Sequence, residues 1–253
     1  MTEINKEPST RNWEPVSAVL VTIGVFFGAQ LGVGIFLGIY ALLIGWDTHS
    51  VNIWLDTLAG RFWSLFLIDI ASILLLAWFL RFKKSSFNKI GLRRPTLKHF
   101  GYGLLAFGVY FVSLITISMV VGFLIPQIDF NQKQQLPFEI GARGLALAPA
   151  FLGLVVMPPL VEEILFRGFL YSGLRTRINI LPSAIITSLL FALPHLQLGA
   201  NSPPLWTAAI DTFILSMIAV YLREKTINLW AGITLHMIKN AWAFVGLYLL
   251  AVK

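Results

Sequence analysis

The chain has 253 residues, of which 57% are hydrophobic and only 12% charged, against roughly a quarter charged in an ordinary soluble domain. This composition excludes a water-soluble globular protein. The formal charge of +7 collects in loops rather than on one face, so it argues for membrane topology and gives no ground for a nucleic-acid partner.

In chain order, a polar segment containing Glu3, Glu7 and Glu14 precedes an apolar run over residues 16–44. That run is far longer than a signal-peptide core and is expected to be a retained span with no cleaved leader. Further apolar runs cover 62–80, 100–125, 145–160 and beyond, 181–198, 205–222 and 227–252, each near or above the roughly 20 residues that cross a bilayer as a helix. None has the alternating pattern of a barrel strand, and in lipid that leaves helices. The expected fold is an all-α polytopic transmembrane bundle of about seven to eight helices, forming one integral membrane domain over residues 1–253, with the chemistry concentrated in 145–245.

Between the second and third runs stand Arg81, Lys83, Lys84, Lys89, Arg93, Arg94 and Lys98 without an acidic residue. Short basic loops stay cytoplasmic. Seven spans then put Lys6, Arg11, Arg175, Arg177, Arg223 and Lys225 on the same side, and Asp47, Asp56, Asp129 and Glu139 opposite. A cytoplasmic N-terminus in a bacterial cell membrane is the expected placement, with the lipid bilayer itself as a partner. No cysteine is present, so thiol chemistry and disulfides are excluded.

The first half carries few polar groups inside its spans, Asp69 being the exception, and the polar intramembrane residues concentrate after residue 158. Prolines punctuate the second half. Pro182 and Pro203 are placed to start helices, Pro194 to kink the helix beside His195, and Pro158 with Pro159 to break the fourth span so that Glu162 opens a new helix.

Ionisable groups inside spans are costly and normally face a cavity or a partner. Glu163 and Arg167 are four residues apart and share a helix face, so they can pair. Glu162 lies about 100° round the helix from Glu163 and has no such partner. His195 and His236 fall inside two later spans. At 1.5 Å per residue, Glu162 lies about 20 Å from Arg175, His195 about 20 Å from Pro182 and His236 about 16 Å from Lys225. Three groups on three helices therefore share one depth near mid-bilayer. Asn240 is one turn beyond His236 on the same face, and Phe191 stands in the same relation to His195 with packing as its expected role.

Two chemistries fit. Glu162 and His195 can deprotonate a water that attacks a carbonyl while His236 and Asn240 hold the oxyanion. Alternatively, Glu162, His195 and His236 form the three-ligand set of a catalytic zinc. Both are hydrolytic, and the cofactor is accordingly none or zinc. Lys239 needs an intramembrane counter-charge, with Asp211 or Asp69 as candidates. There is no HExxH helix, no GxSxG elbow and no glycine-flanked aspartate, which sets zincin, serine-hydrolase and presenilin-like readings aside.

The stretches "EEILFR" (162–167), "FALPH" (191–195) and "HMIKN" (236–240) resemble the ordered motifs EExxxR, FxxxH and HxxxN of the CPBP family. These are the CAAX prenyl protease and bacteriocin-processing, or Abi, proteins, which include the Ras-converting CAAX endopeptidase. The flanks "KIGLRRPTLKHFGYGLLAFGV" and "NLWAGITLHMIKNAW" agree, so the resemblance covers about residues 88–245. It implies an intramembrane endopeptidase whose cavity opens toward the cytoplasm and whose substrate is a membrane-associated peptide or protein. By motif position, Glu162 and His195 activate water, His236 and Asn240 stabilise the oxyanion, and Glu163 and Arg167 order the site. The short loops and bacterial-type flanks point away from a prenylated tetrapeptide and toward export signals, bacteriocin leaders or membrane-protein tails. The rival readings are a noncatalytic immunity or scaffold protein, whose polar cluster only specifies packing, and a proton-coupled carrier, which would be favoured by inverted repeats that the sequence does not display.

Overall fold

The computed structural model describes residues 13–132, 134, 137–138, 144, 147–198 and 203–250. Six helices are long and apolar enough to cross a membrane. They are α1 (Pro15–Leu43), α3 (Leu58–Phe82), α4 (Leu97–Leu124), α5 (Leu147–Leu174), α7 (Trp206–Thr226) and α8 (Trp230–Leu250). A shorter apolar helix, α6 (Ile180–Leu196), is the seventh, and a small helix α2 (Thr48–Asp56) joins α1 to α3. All seven expected apolar runs are therefore helical. α2 was not anticipated, because its mixed sequence carries no long apolar run.

The basic connections gather at one end of the bundle. Arg175 pairs with Glu224 at 3.0 Å, Arg177 reaches Glu14, the indole of Trp230 donates to the carbonyl of Arg93, and the Asn228 amide donates to that of Arg94. The chain starts, α3–α4, α5–α6 and α7–α8 connections thus lie together, as the charge pattern requires. Lys6, Arg11 and Glu139 lie outside the described residues.

α5 is the central helix, packed against α1, α3, α6, α7 and α8, while α4 lies outside on α7 and α8. Every residue from Glu163 to Leu174 is buried. The outer helices instead expose Leu31, Leu43, Trp78, Leu105 and Phe123, the apolar dress of a lipid-facing surface. Because lipid tails are as apolar as leucine, such helices associate through close packing and polar contacts rather than apolar burial. Gly103 shows the packing device. A Cβ at that position would stand 2.5 Å from the Thr234 Cβ and 2.8 Å from the Ala231 carbonyl oxygen, so α4 rests directly on the α8 backbone.

Gly103→Val is expected to push α4 off α8 and to cost ~1–3 kcal/mol, the usual penalty of overpacking. Thermal unfolding of the detergent-solubilised protein measures it, and an unchanged midpoint would contradict this contact.

Candidate functional site

The site begins with a defect in α5. Residues Leu152–Val156 and Glu163–Leu170 are π-helical, on either side of the α-helical Met157–Glu162. The expected break at Pro158 and Pro159 therefore does not occur. The helix widens instead and continues, and Glu162 is the last residue before the second wide stretch rather than the first turn of a new helix. Widening to i→i+5 bonding is how a helix absorbs residues that cannot donate.

One carbonyl is left over. An α-helical bond to Leu154 would come from residue 158 and a π-helical bond from residue 159, and both are prolines without an N–H. The Asn240 side-chain amide supplies the missing donor, 2.8 Å from the Leu154 oxygen. The same logic recurs in α6, which tightens to a 3₁₀ turn over Leu193–Leu196. There the Phe191 carbonyl looks three residues ahead to Pro194, which has no proton to give. The His195 ring takes the acceptor, with Nδ1 2.9 Å from the Phe191 oxygen. A carbonyl only accepts, so Nδ1 carries the proton and the neutral ring keeps its lone pair on Nε2.

The expected Glu163–Arg167 pair forms at 3.0 Å with both side chains sealed from the surface. Three groups confine it. The Arg167 guanidinium stacks 4.1 Å from the Phe191 ring centroid, His236 Nδ1 is 3.2 Å from the Glu163 carboxylate oxygen that also meets Arg167, and Gly232 leaves room for the other oxygen. A Cβ at Gly232 would come within 2.9 Å of that oxygen. Phe191 packs edge-on to Phe166 and His236, in line with its expected role.

Glu162 differs from its neighbour in being open, with 30% of its side chain exposed. Its nearest ring is His236, whose Nε2 lies 3.7 Å from a Glu162 oxygen. Consecutive glutamates straddle the His236 ring on α8, while the His195 ring gives Nδ1 to its own helix and makes no direct contact with Glu162. His195 is half-buried, stands 5.1 Å from Phe191 by ring centroids and makes no hydrogen bond to Glu162.

The zinc set is not assembled. Among the described residues no three His, Cys, Asp or Glu side chains are grouped to hold a metal ion. Each His236 nitrogen has a glutamate beside it, while His195 gives Nδ1 to a carbonyl and keeps Nε2 open.

Lys239 finds its counter-charge in Asp211, at 2.8 Å, and not in Asp69. The Tyr110 hydroxyl also donates to Asp211. Tyr110, Gly232 and the Leu154 carbonyl escaped sequence reading. A tyrosine or glycine in a span is unremarkable alone, but the Pro158-Pro159 pair could have flagged the carbonyl.

If Asn240 serves the proline-orphaned carbonyl, Asn240→Ala should cost about 1–3 kcal/mol, the price of an unsatisfied buried acceptor, and Pro158→Ala should return most of it by supplying an N–H. A double-mutant cycle on unfolding midpoints checks this, and strict additivity would contradict it. Gly232→Ala should displace Glu163 from Arg167 and His236 and reduce activity at least ~10-fold with folding retained, by analogy with other misplaced site groups.

Residues 144–242 match the family described as Type II CAAX prenyl endopeptidase Rce1-like, whereas no curated protein and no solved structure matches the chain. The matched stretch contains the two glutamates, Arg167, Phe191, both intramembrane histidines, Asn240, Lys239 and Asp211, whereas Tyr110 lies outside it. Over residues 144–242 this integral membrane protein is similar to the type II CAAX prenyl endopeptidases, a likeness that supports assignment to the CAAX protease (CPBP) family.

Proposed function

We propose that the protein is an intramembrane endopeptidase in which Glu162 is the general base for a metal-free attack of water on a peptide bond. The observation that carries this reading is the contrast between two adjacent glutamates. Glu163 is sealed and held by Arg167, whereas Glu162 is open and unmatched by any cation within ion-pair distance. A packing role accounts for the first and not for the second, which disfavours a noncatalytic scaffold.

In the proposed step, a water lies between the Glu162 carboxylate and the His195 Nε2 lone pair, which accept its hydrogens and aim its oxygen at the carbonyl carbon. The His236 ring borders Glu162, with Nε2 3.7 Å from a carboxylate oxygen. On the α8 side, Asn240 retains one amide hydrogen beyond the one given to Leu154 and can offer it to the oxyanion. Buried among α3, α5 and α8, this chemistry suits a peptide delivered from the membrane or its surface. The basic end of the bundle faces the cytoplasm in this proposal, following the loop-charge rule.

The test is cleavage of a panel of quenched peptides, prenylated and unprenylated, by purified protein in detergent. Glu162→Gln should lower kcat by about 10²–10⁴-fold, the usual worth of a positioned base, while folding to the same midpoint. Activity should survive a strong chelator. Wild-type rates in Glu162→Gln would refute the base assignment, and loss on chelation with recovery on adding zinc would refute the metal-free step.

A further inference from the structure

We propose that Lys239 is a catalytic residue of this site, its ammonium stabilising the oxyanion, with Asp211 and Tyr110 as the residues that position it. The inference rests on the protease reading above and adds to it a cation outside the three sequence motifs' fixed positions.

Few hydrogen-bond donors remain available on the α8 side of the site. His236 has committed Nδ1 to Glu163 and presents a lone pair, not a hydrogen, at Nε2 when neutral. Asn240 has given one of its two amide hydrogens to Leu154. That leaves the α8 side short of donors for a full negative charge.

Two cations stand near the candidate residues among those described. Arg167 is sealed, with none of its side chain exposed, and lies beneath Phe191 and Glu163. Lys239 is reachable, with 18% of its side chain exposed. It is three residues past His236 and next to Asn240, so all three belong to one face of α8. His236, one turn back on that helix, stands 3.7 Å from Glu162, so the lysine's helix neighbours border the proposed base. One ammonium hydrogen satisfies Asp211, and two remain.

The pair itself needs a reason. A buried ion pair is seldom more stable than apolar residues of the same shape, and inside a membrane the usual reason to keep one is function. Here Asp211 from α7 pairs with the cation and Tyr110 from α4 donates to that carboxylate. Helices outside the motif set thereby gain a part in the reaction.

The step balances as follows. The water oxygen bonds to the carbonyl carbon as Glu162 takes a proton, and the carbonyl π pair moves to oxygen, where the Lys239 N–H meets it. Collapse re-forms the carbonyl, breaks the C–N bond and passes the proton from Glu162 to the leaving amine.

The experiment compares wild type, Lys239→Met, Lys239→Arg, Asp211→Asn, the Lys239→Met/Asp211→Asn double variant and Glu162→Gln on a cleaved peptide. Each is first shown to be monodisperse with a cooperative unfolding transition. Lys239→Met should lose kcat by 10²–10³-fold, as on removal of an oxyanion donor, with KM little changed, and Lys239→Arg should retain most of it. The double variant removes both charges together, so it relieves the unpaired aspartate but should stay as slow as Lys239→Met. Recovery of the wild-type kcat in the double variant would show a packing pair only and overturn the proposal, as would an unchanged kcat in Lys239→Met. If wild type cleaves nothing, or Glu162→Gln cleaves normally, the protease reading fails first and the proposal with it.

Discussion

In a bilayer every backbone carbonyl must find a donor within the protein, and the site depends on two carbonyls that the backbone cannot serve. Pro158 and Pro159 withhold both the α- and the π-helical donor from Leu154, and Pro194 withholds the 3₁₀ donor from Phe191. Because an unmet polar group in lipid costs several kcal/mol, a side chain is drawn to each: Asn240 from α8 and the His195 ring from its own helix. The first contact docks α8 on α5. The second fixes a tautomer.

Charge follows from the same local geometry. Two consecutive glutamates in one widened helix have different fates, since one falls against Arg167, His236 and the space over Gly232 while the other looks into the gap between helices. The sealed triad carries the cost of burying ions and keeps α5 and α8 in register. Glu162 is then presented without needing to stabilise anything itself. Toward α4 and α7, Lys239 is held against Asp211 and Tyr110, so the intramembrane charges form two paired groups and Glu162 belongs to neither.

Much of this was legible in the sequence. Apolar run lengths gave the seven apolar helices, six long and one shorter, and loop charge gave the end at which Arg93, Arg175 and Trp230 now meet. Helical rise placed Glu162 and His236 at one depth, and they lie 3.7 Å apart. Facing was not legible, because azimuth was computed for an ideal helix and α5 is π-helical over Glu163–Leu170. Helical rise fixes depth and not azimuth, and it is the hydrogen bond to the Phe191 carbonyl that turns the His195 ring back to its own helix. The need of Lys239 for a counter-charge could be foreseen, but choosing Asp211 over Asp69 required knowing that α7, not α3, lies beside that face of α8.

The measurement that tests the account most directly is the tautomer of His195, read from ¹⁵N resonances of the histidine-labelled protein. With four histidines in the chain, a spectrum of His195→Asn identifies the signal by its loss. The account predicts a neutral ring protonated on Nδ1 with a lone pair on Nε2, and a mixture of tautomers once Pro194→Ala restores the N–H that Phe191 lacks. A ring protonated on Nε2 in the wild type would contradict it, since that nitrogen could not then accept a proton from the attacking water.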